Sequence, residues 1–340
     1  MKARNRWRWM AVAVLLVAGS LGGAFWNAVL CEGKWAGEPL EVRRAAELSR
    51  MEGEIREDVH FLAVEIGERN LRDDTRHRAL TRAGVWIRGR LEGLGYRVAE
   101  QPIVVDGRKV SNLEIEIPGR KAPSEIVIVS AQHDTLPGSP GANNNASGEA
   151  VLLQLAAVLR EAAPDRTIRL VSFTTEEDPW FGTADMGSIH YARRSRERGE
   201  DIRAMMSLDS IGYFLHEPGS QRLPPPFSWI YPDRGDFLAF IGNLSSRSAV
   251  TVATRGFHKG SGFPIEAGLS PEWVDGATWS DHASFWKFGY PAIQITDTGG
   301  FRSPFHTGPG DTPEKLDYRA LARITLGMYG SILELSTLER

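Results

Sequence analysis

The stretch that decides the fold is residues 126–148, which read IVIVSAQHDTLPGSPGANNNASG. Its first four residues are all β-branched and apolar, which is typical of a strand buried on both faces of a sheet. A turn rich in Gly, Pro and Asn follows, and after it residues 148–162 carry Leu and Ala at helical spacing. Strand, turn and helix in this order predict one unit of a parallel α/β sheet.

The same alternation continues along the chain. Further strands are predicted at about residues 96–105, 110–117, 167–174, 204–208 and 291–295, and further helices at about 187–198 and 318–335. Strands that alternate with helices predict a three-layer α/β/α fold, in which helices cover both faces of a central, mostly parallel mixed sheet.

Composition excludes several classes of protein. The chain has 340 residues, with 40 Lys and Arg against 43 Asp and Glu, a net charge of −3. No excess of basic residues is available to neutralise phosphates, so we expect no nucleic-acid partner. The single cysteine, Cys31, excludes both an intrachain disulfide framework and a cysteine-based structural zinc site.

The amino terminus has the features of a membrane segment. Lys2, Arg4, Arg6 and Arg8 precede an uncharged run from Trp9 to Cys31. About 20 apolar residues span a bilayer, and the basic cluster would hold this end in the cytoplasm. The alternative is a cleaved signal peptide, since Gly22-Gly23-Ala24 offers a small-x-small site. Either way the remainder is expected outside the cytoplasm, membrane-anchored or secreted to the periplasm or beyond.

These observations predict two regions. Residues 1–36 form the anchor or signal segment, and residues 37–340 form one catalytic domain. Within that domain, residues 215–235 contain several prolines and are predicted to be an inserted loop that shapes a pocket.

Potential ligands and acid/base groups follow four of the predicted strands. They are Gln132, His133 and Asp134, then Glu176 and Glu177, then Asp209, and finally His306. The carboxyl ends of parallel strands meet at one edge of a sheet, so these side chains are expected to lie together. Carboxylates and imidazole suit zinc. A free glutamate beside them suits a general base that acts on metal-activated water.

Six motifs make the sequence resemble the zinc aminopeptidase superfamily, which also contains glutamate carboxypeptidases, glutaminyl cyclases and the transferrin receptor ectodomain. They are Gln132-His133-Asp134, GANNNASG at 141–148, Glu176-Glu177, SLDSIG at 207–212, Ser280-Asp281-His282 and Phe305-His306-Thr307. The resemblance covers about residues 48–335. It implies a zinc-exopeptidase-like fold, a peptide substrate, and a site in which an aspartate bridges two zinc ions.

Carried over residue by residue, the resemblance implies that Glu177, Asp209 and His306 are metal ligands and that Glu176 is the general base. Two ligand positions depart from the family pattern: Gln132 stands where the family has a histidine, and Asn144 stands where it has the bridging aspartate. A carboxamide is a weak zinc donor and cannot share a negative charge between two ions. We therefore expect one zinc ion rather than two.

Three neighbouring residues have supporting roles or none. His133 is one residue out of register, and successive strand side chains point to opposite faces, so it is expected to point away from the site unless a bulge shifts the strand. Asp134 keeps its family position and is expected to orient a ligand from behind. His282 begins a predicted helix and is expected to support the pocket.

Three functions remain open. The sequence favours a membrane-tethered, extracytoplasmic, metal-dependent exopeptidase of aminopeptidase type. The alternative is a non-catalytic pseudopeptidase that uses the same cleft for binding, because Gln132 and Asn144 replace two ligands. A third is another metal-dependent reaction such as glutaminyl cyclisation. The oligomeric state and the preferred substrate side chain stay undetermined.

Overall fold

The computed structural model describes residues 30–225 and 227–338. Within them lies one sheet of eight strands in the order β1-β2-β4-β3-β5-β8-β6-β7. The strands are β1 Ala99–Val105, β2 Arg108–Ile117, β3 Ala122–Gln132, β4 Arg166–Phe173, β5 Asp201–Leu208, β6 Leu238–Gly242, β7 Ile265–Leu269 and β8 Ala292–Thr296.

The centre of the sheet is parallel. Strand β3 pairs in parallel with β4 and β5, and β5 pairs in parallel with β8. The antiparallel pairs are β1 with β2 and β2 with β4 on one side, and β6 with β8 on the other, while β6 and β7 are parallel to each other. The carboxyl ends of β3, β4, β5 and β8 therefore meet at one edge.

Helices cover both faces of this sheet. They are α1 Leu40–Arg43, α2 Ala45–His60, which continues as a π-helix through 61–66, α3 Asp74–Gly93, α4 Gly148–Leu159, α5 Gly187–Glu197, α6 Arg247–Gly260, α7 His282–Lys287 and α8 Tyr318–Ser336. Buried residues of α2, α3, α4, α6 and α8 form one core, and those of α5 and α7 form the other. The predicted three-layer α/β/α fold with a mixed sheet is confirmed.

Strand β3 shows why the apolar run at 126–129 decides the fold. Val127 and Val129 pack into the larger core, while Ile126 and Ile128 pack into the smaller one. A strand buried on both faces needs apolar side chains at every position, and this is the pattern that the sequence carries.

The buried guanidinium of Arg69 fixes the loops around the end of β3. Its side chain is fully buried. It donates hydrogen bonds to backbone carbonyl oxygens on three segments, namely those of Leu62 and Gly67, His133, and Pro140 and Gly141. One charged group thereby joins the carbonyls of three separate segments around the end of β3.

The folded domain begins earlier than the predicted boundary at residue 37. Leu30 forms a β-bridge with Gly268, and Cys31 is buried in the larger core. Among residues 30–225 and 227–338, we find no helix whose length and hydropathy would let it cross a bilayer. The anchor or signal predicted within residues 1–36 lies almost wholly outside the described residues.

The predicted loop at 215–235 has little regular structure in its described part. A short 3₁₀ turn at Phe227–Trp229 is its one assigned helical element there, and residue 226 lies outside the description. The loop lies between β5 and β6, and it forms part of the wall of a pocket described below.

Replacing Arg69 with Met should lower the free energy of unfolding by about 3 kcal/mol, because several buried carbonyls lose a charged donor. Urea denaturation followed by circular dichroism measures this change. Arg78→Met is the matched control, since Arg78 is exposed on α3 and should change stability by less than about 0.5 kcal/mol. Equal stabilities for the two variants would contradict the assigned role of Arg69.

Candidate active site

The structure brings the predicted acidic residues together at the carboxyl edge of the parallel strands. Gln132 ends β3, Glu176 and Glu177 follow β4, and Asp209 follows β5. All four side chains are buried. The expectation that these strand ends build one site is met.

The Asp134 side chain positions Glu176 and Glu177 by accepting hydrogen bonds from their backbone N–H groups. One carboxylate oxygen accepts the Glu176 N–H at 3.1 Å, and the other accepts the Glu177 N–H at 3.1 Å. Asp134 is predicted to orient a ligand, and its contact with the predicted ligand Glu177 is made to the backbone. It connects the end of β3 to the loop after β4.

The amides of Gln132 and Asn144 occupy the space between the carboxylates. Gln132 Nε2 donates to Asn144 Oδ1 at 3.2 Å and to Glu176 Oε2 at 3.4 Å. Asn144 Nδ2 donates to Glu177 Oε1 at 2.7 Å. Asn145 Nδ2 donates to Gln132 Oε1 and, at 2.8 Å, to the Leu208 carbonyl. The two residues that replace family ligands are therefore hydrogen-bond partners of the two glutamates.

His133 points to the opposite face of β3, as the alternation of strand side chains predicts. Its Nδ1 lies 2.8 Å from Ser172 Oγ, and Ser172 Oγ in turn donates to Glu149 at 2.6 Å. Burial, and after it the nearby Arg69 charge, lower the pKa of His133 to about 3. His133 does not replace Gln132 as a ligand.

His306 lies beside Asp209 as predicted. Ser210 Oγ donates to Asp209 Oδ1 at 3.2 Å and lies 3.4 Å from His306 Nδ1. Burial raises the pKa of Asp209, and the His306 ring opposes that rise. The imidazole and this carboxylate are therefore close enough to act on one ligand.

The glutamates repel one another inside the protein. Burial raises the pKa of Glu176 well above its usual range, and the charges of Glu177 and Asp281 raise it further. The pKa of Glu177 is also raised, first by burial and then by Asp134. Buried carboxylates in mutual repulsion are usually paired with a cation or coordinate a metal.

Sequence reasoning missed Asp281. This residue was noted only as part of the Ser280-Asp281-His282 motif, yet its buried side chain lies close enough to Glu176 to raise that residue's pKa. The sequence contained a signal for this residue, because an aspartate next to the histidine of a motif is itself a candidate site residue. His282 Nε2–H donates to the Ala277 carbonyl at 2.8 Å, and its ring packs edge-on against Trp286.

Three of the predicted site residues are possible donors to a metal ion. Glu177, Asp209 and His306 supply two carboxylates and one imidazole, which is a sufficient set of protein ligands for a single catalytic zinc. Two zinc ions side by side would need a carboxylate that both share. Position 144 carries the neutral amide of Asn144 instead, and its N–H donates to Glu177. In the conformation described, no three His, Cys, Asp or Glu side chains of residues 30–225 and 227–338 are arranged to hold a metal ion.

A large apolar pocket begins at Asp209 and His306. Its cavity volume is about 110 Å³, and its walls include the Pro-rich loop at Phe227 and Tyr231. Trp279 stacks on Phe301 at one side, with ring centroids 5.3 Å apart. The position beside the acidic residues makes this pocket suitable for an apolar group next to a reacting bond.

Comparison with known proteins agrees with this geometry. The profile of peptidase family M28 matches residues 112–331. An uncharacterised Escherichia coli (strain K12) protein, YfbL, is 33% identical over 259 residues, which cover 73% of this chain and 78% of that protein. The Bacillus subtilis (strain 168) aminopeptidase YwaD is 40% identical over 89 residues, which cover 26% of this chain and 18% of that protein.

A solved structure shares the fold. BSAP, a zinc aminopeptidase from Bacillus subtilis, superposes with a TM-score of 0.67 at 15% identity, and the match covers 85% of this chain and 96% of that one. At this level of identity the similarity concerns the fold alone.

The two histidines should differ in their effect on metal binding. His306→Gln should reduce the zinc bound per chain at a fixed free zinc concentration, because it removes the imidazole beside Asp209. His133→Asn should leave bound zinc unchanged, since the ring lies on the other face of β3. Elemental analysis after equilibration with zinc measures both. Loss of zinc in the His133 variant alone would show that the ligand positions are misassigned.

Proposed function

The chain belongs to peptidase family M28, and from that premise we propose that it is a metal-dependent exopeptidase of aminopeptidase type. The observation that carries the proposal is the placement of Glu176. Its backbone N–H donates to Asp134, and its buried carboxylate lies close enough to Glu177 for the two charges to interact. A general base beside potential metal ligands is the arrangement that peptide hydrolysis by activated water requires.

The residues that would hold one zinc ion are Glu177, Asp209 and His306. The ion would supply a Lewis acid that polarises the carbonyl of the scissile peptide. Family membership and zinc aminopeptidases of the same fold support zinc as the metal. We propose one ion rather than two, because no carboxylate stands at position 144 to be shared with a second ion.

Glu176 moves the proton in this proposal. Gln132 donates to Glu176 Oε2, which orients the carboxylate and leaves Oε1 for a water molecule. Oε1 accepts a proton as the water oxygen attacks the scissile carbonyl. The same oxygen then gives the proton to the leaving amine nitrogen as the peptide C–N bond breaks. The products are a free amino acid and a peptide shortened by one residue.

The apolar pocket determines the preferred substrate. Its aromatic walls, including Trp279 and Phe301, would surround the side chain next to the scissile bond. Burial of a large apolar side chain contributes roughly 1.5–3 kcal/mol of binding free energy. We therefore propose peptides with a large apolar or aromatic first residue as substrates.

A non-catalytic function is the second candidate, and one specific observation favours it. The hydrogen bonds from Gln132 to Glu176 and from Asn144 to Glu177 give each glutamate carboxylate one donor without a metal. A cleft maintained in this way keeps its shape and can bind a peptide without cleaving it. The two candidate functions predict different rates of peptide cleavage and different amounts of zinc bound per chain.

Purified protein with added zinc should release the first residue from peptides that begin with Phe or Leu. Glu176→Gln should reduce kcat by at least about 100-fold, because it removes the proton carrier. Glu92→Gln is the matched control, since Glu92 is exposed on α3 and lies in none of the segments that build the cleft. Product formation is followed by mass spectrometry. Equal rates for wild type and the Glu176 variant would leave only the binding function.

The double variant Gln132→His with Asn144→Asp should raise bound zinc towards two per chain, because it restores an imidazole and a shared carboxylate. The single variants should fall between wild type and the double variant. Zinc per chain is measured by elemental analysis. No gain in the double variant would mean that positions 132 and 144 are not ligand positions.

A further inference from the structure

A group of exposed apolar side chains surrounds the carboxyl end of the edge strand β7. Trp273 is 85% exposed, Trp229 is 78% exposed, Leu244 is 76% exposed and Leu30 is 43% exposed. We call these four residues the β7 face. Single exposed apolar residues are ordinary, but two tryptophans and two leucines around one strand end form a patch that needs an explanation.

Contacts between their neighbours place these residues together. Leu30 pairs with Gly268 of β7. Leu244 follows β6, and Asn243 Nδ2 donates to Glu272 Oε1 at 3.3 Å, which joins this turn to the loop that carries Trp273.

The turn that carries Trp229 is joined to the same place through Tyr231. The rings of Phe227 and Tyr231 stack with centroids 6.4 Å apart. Burial raises the pKa of Tyr231, and the neighbouring Cys31 thiol raises it further. Tyr231 lines the same pocket as Gly268, which pairs with Leu30, so Trp229 belongs to the same edge of the molecule.

The described part of the chain begins at this face, and its first residues are held in place. Thr251 Oγ1 donates to the Cys31 carbonyl at 2.8 Å, and the Gly33 N–H donates to Thr254 Oγ1 at 2.8 Å. Both threonines belong to α6, so the residues just after Leu30 are attached to a packed helix.

If the uncharged run from Trp9 to Cys31 spans a membrane, almost no residues remain as a linker between the span and Leu30. A membrane-spanning helix of about 20 residues that begins at Trp9 would end near Ala28. About two residues then remain before Leu30, and an extended residue covers at most roughly 3.6 Å. A chain anchored by this run would therefore hold Leu30 within about 10 Å of the bilayer surface.

We propose that the β7 face lies against a lipid bilayer, with Trp229 and Trp273 in its headgroup layer. Tryptophan is enriched at membrane interfaces, because its large apolar ring carries one polar N–H. The charges near the face are mixed, with Glu32 and Glu272 beside Arg247. Docking therefore depends on apolar contact and does not need anionic lipids.

This orientation adds to the proposed function. Its consequence for catalysis rests on that function. The apolar pocket reaches from Asp209 to Val274, the residue after Trp273, and its wall includes Gly268. A pocket that extends to the membrane-facing end is suited to peptides that are themselves presented at a membrane surface. The docking itself can be measured without any turnover.

The test uses the full chain reconstituted in phosphatidylcholine vesicles, with one environment-sensitive fluorophore attached to a new cysteine. Trp273→Cys and Leu244→Cys label the β7 face. Val104→Cys is the matched control, because Val104 is 61% exposed on β1, the opposite edge strand of the sheet. The native Cys31 should resist labelling, because its thiol is buried and burial raises its pKa to about 11.

Labels at positions 273 and 244 should show a blue-shifted emission and a loss of emission with lipids that carry a quencher at the headgroup. The label at 104 should show neither. Quenching that is equal at all three positions would overturn the proposal, and so would recovery of the chain in the soluble fraction. Adding Glu176→Gln to the labelled variants should leave the quenching unchanged, so a failure of docking is distinguishable from a failure of the proposed activity.

Discussion

The site depends on one constraint, the pair of hydrogen bonds by which Asp134 holds the backbone of Glu176 and Glu177. A carboxylate with two oxygens can accept two adjacent N–H groups, and here it does so at 3.1 Å each. Neighbouring parallel strands bring the two segments together, and this contact fixes the backbone from which the two side chains extend. The cost of burying Asp134 is offset by these bonds and by the charge of Arg69 nearby.

Carboxamides at positions 132 and 144 change the electrostatics of the cleft more than its shape. Each amide can donate to a carboxylate and can accept from a neighbour, so the network stays connected without a metal. A bridging carboxylate would instead add a negative charge that two cations must neutralise. The substitutions therefore lower the charge available for metal, while Glu176 keeps its place.

Much of the fold was readable from local patterns, and the exceptions have physical causes. The strands β6 and β7 each contain a glycine and only one β-branched residue, so their strand signal is weak, whereas the equally short β8 has three β-branched residues. Helix α6 contains Gly256 and Gly260, which are poor helix formers. A side chain at Gly260 would meet the Leu326 backbone of α8, so close packing between the two helices requires glycine there. That requirement comes from tertiary structure and overrides local propensity.

The sequence by itself determined the α/β class, the strand ends that carry Glu176, Glu177, Asp209 and His306, and the register that turns His133 away. These follow from periods of two and 3.6 residues and from short motifs. Tertiary structure alone decided that Asp281 lies beside Glu176, that Arg69 joins three loops, and that two amides bond the glutamates. Contacts between residues distant in sequence carry no local pattern, because they arise only when separate elements pack together.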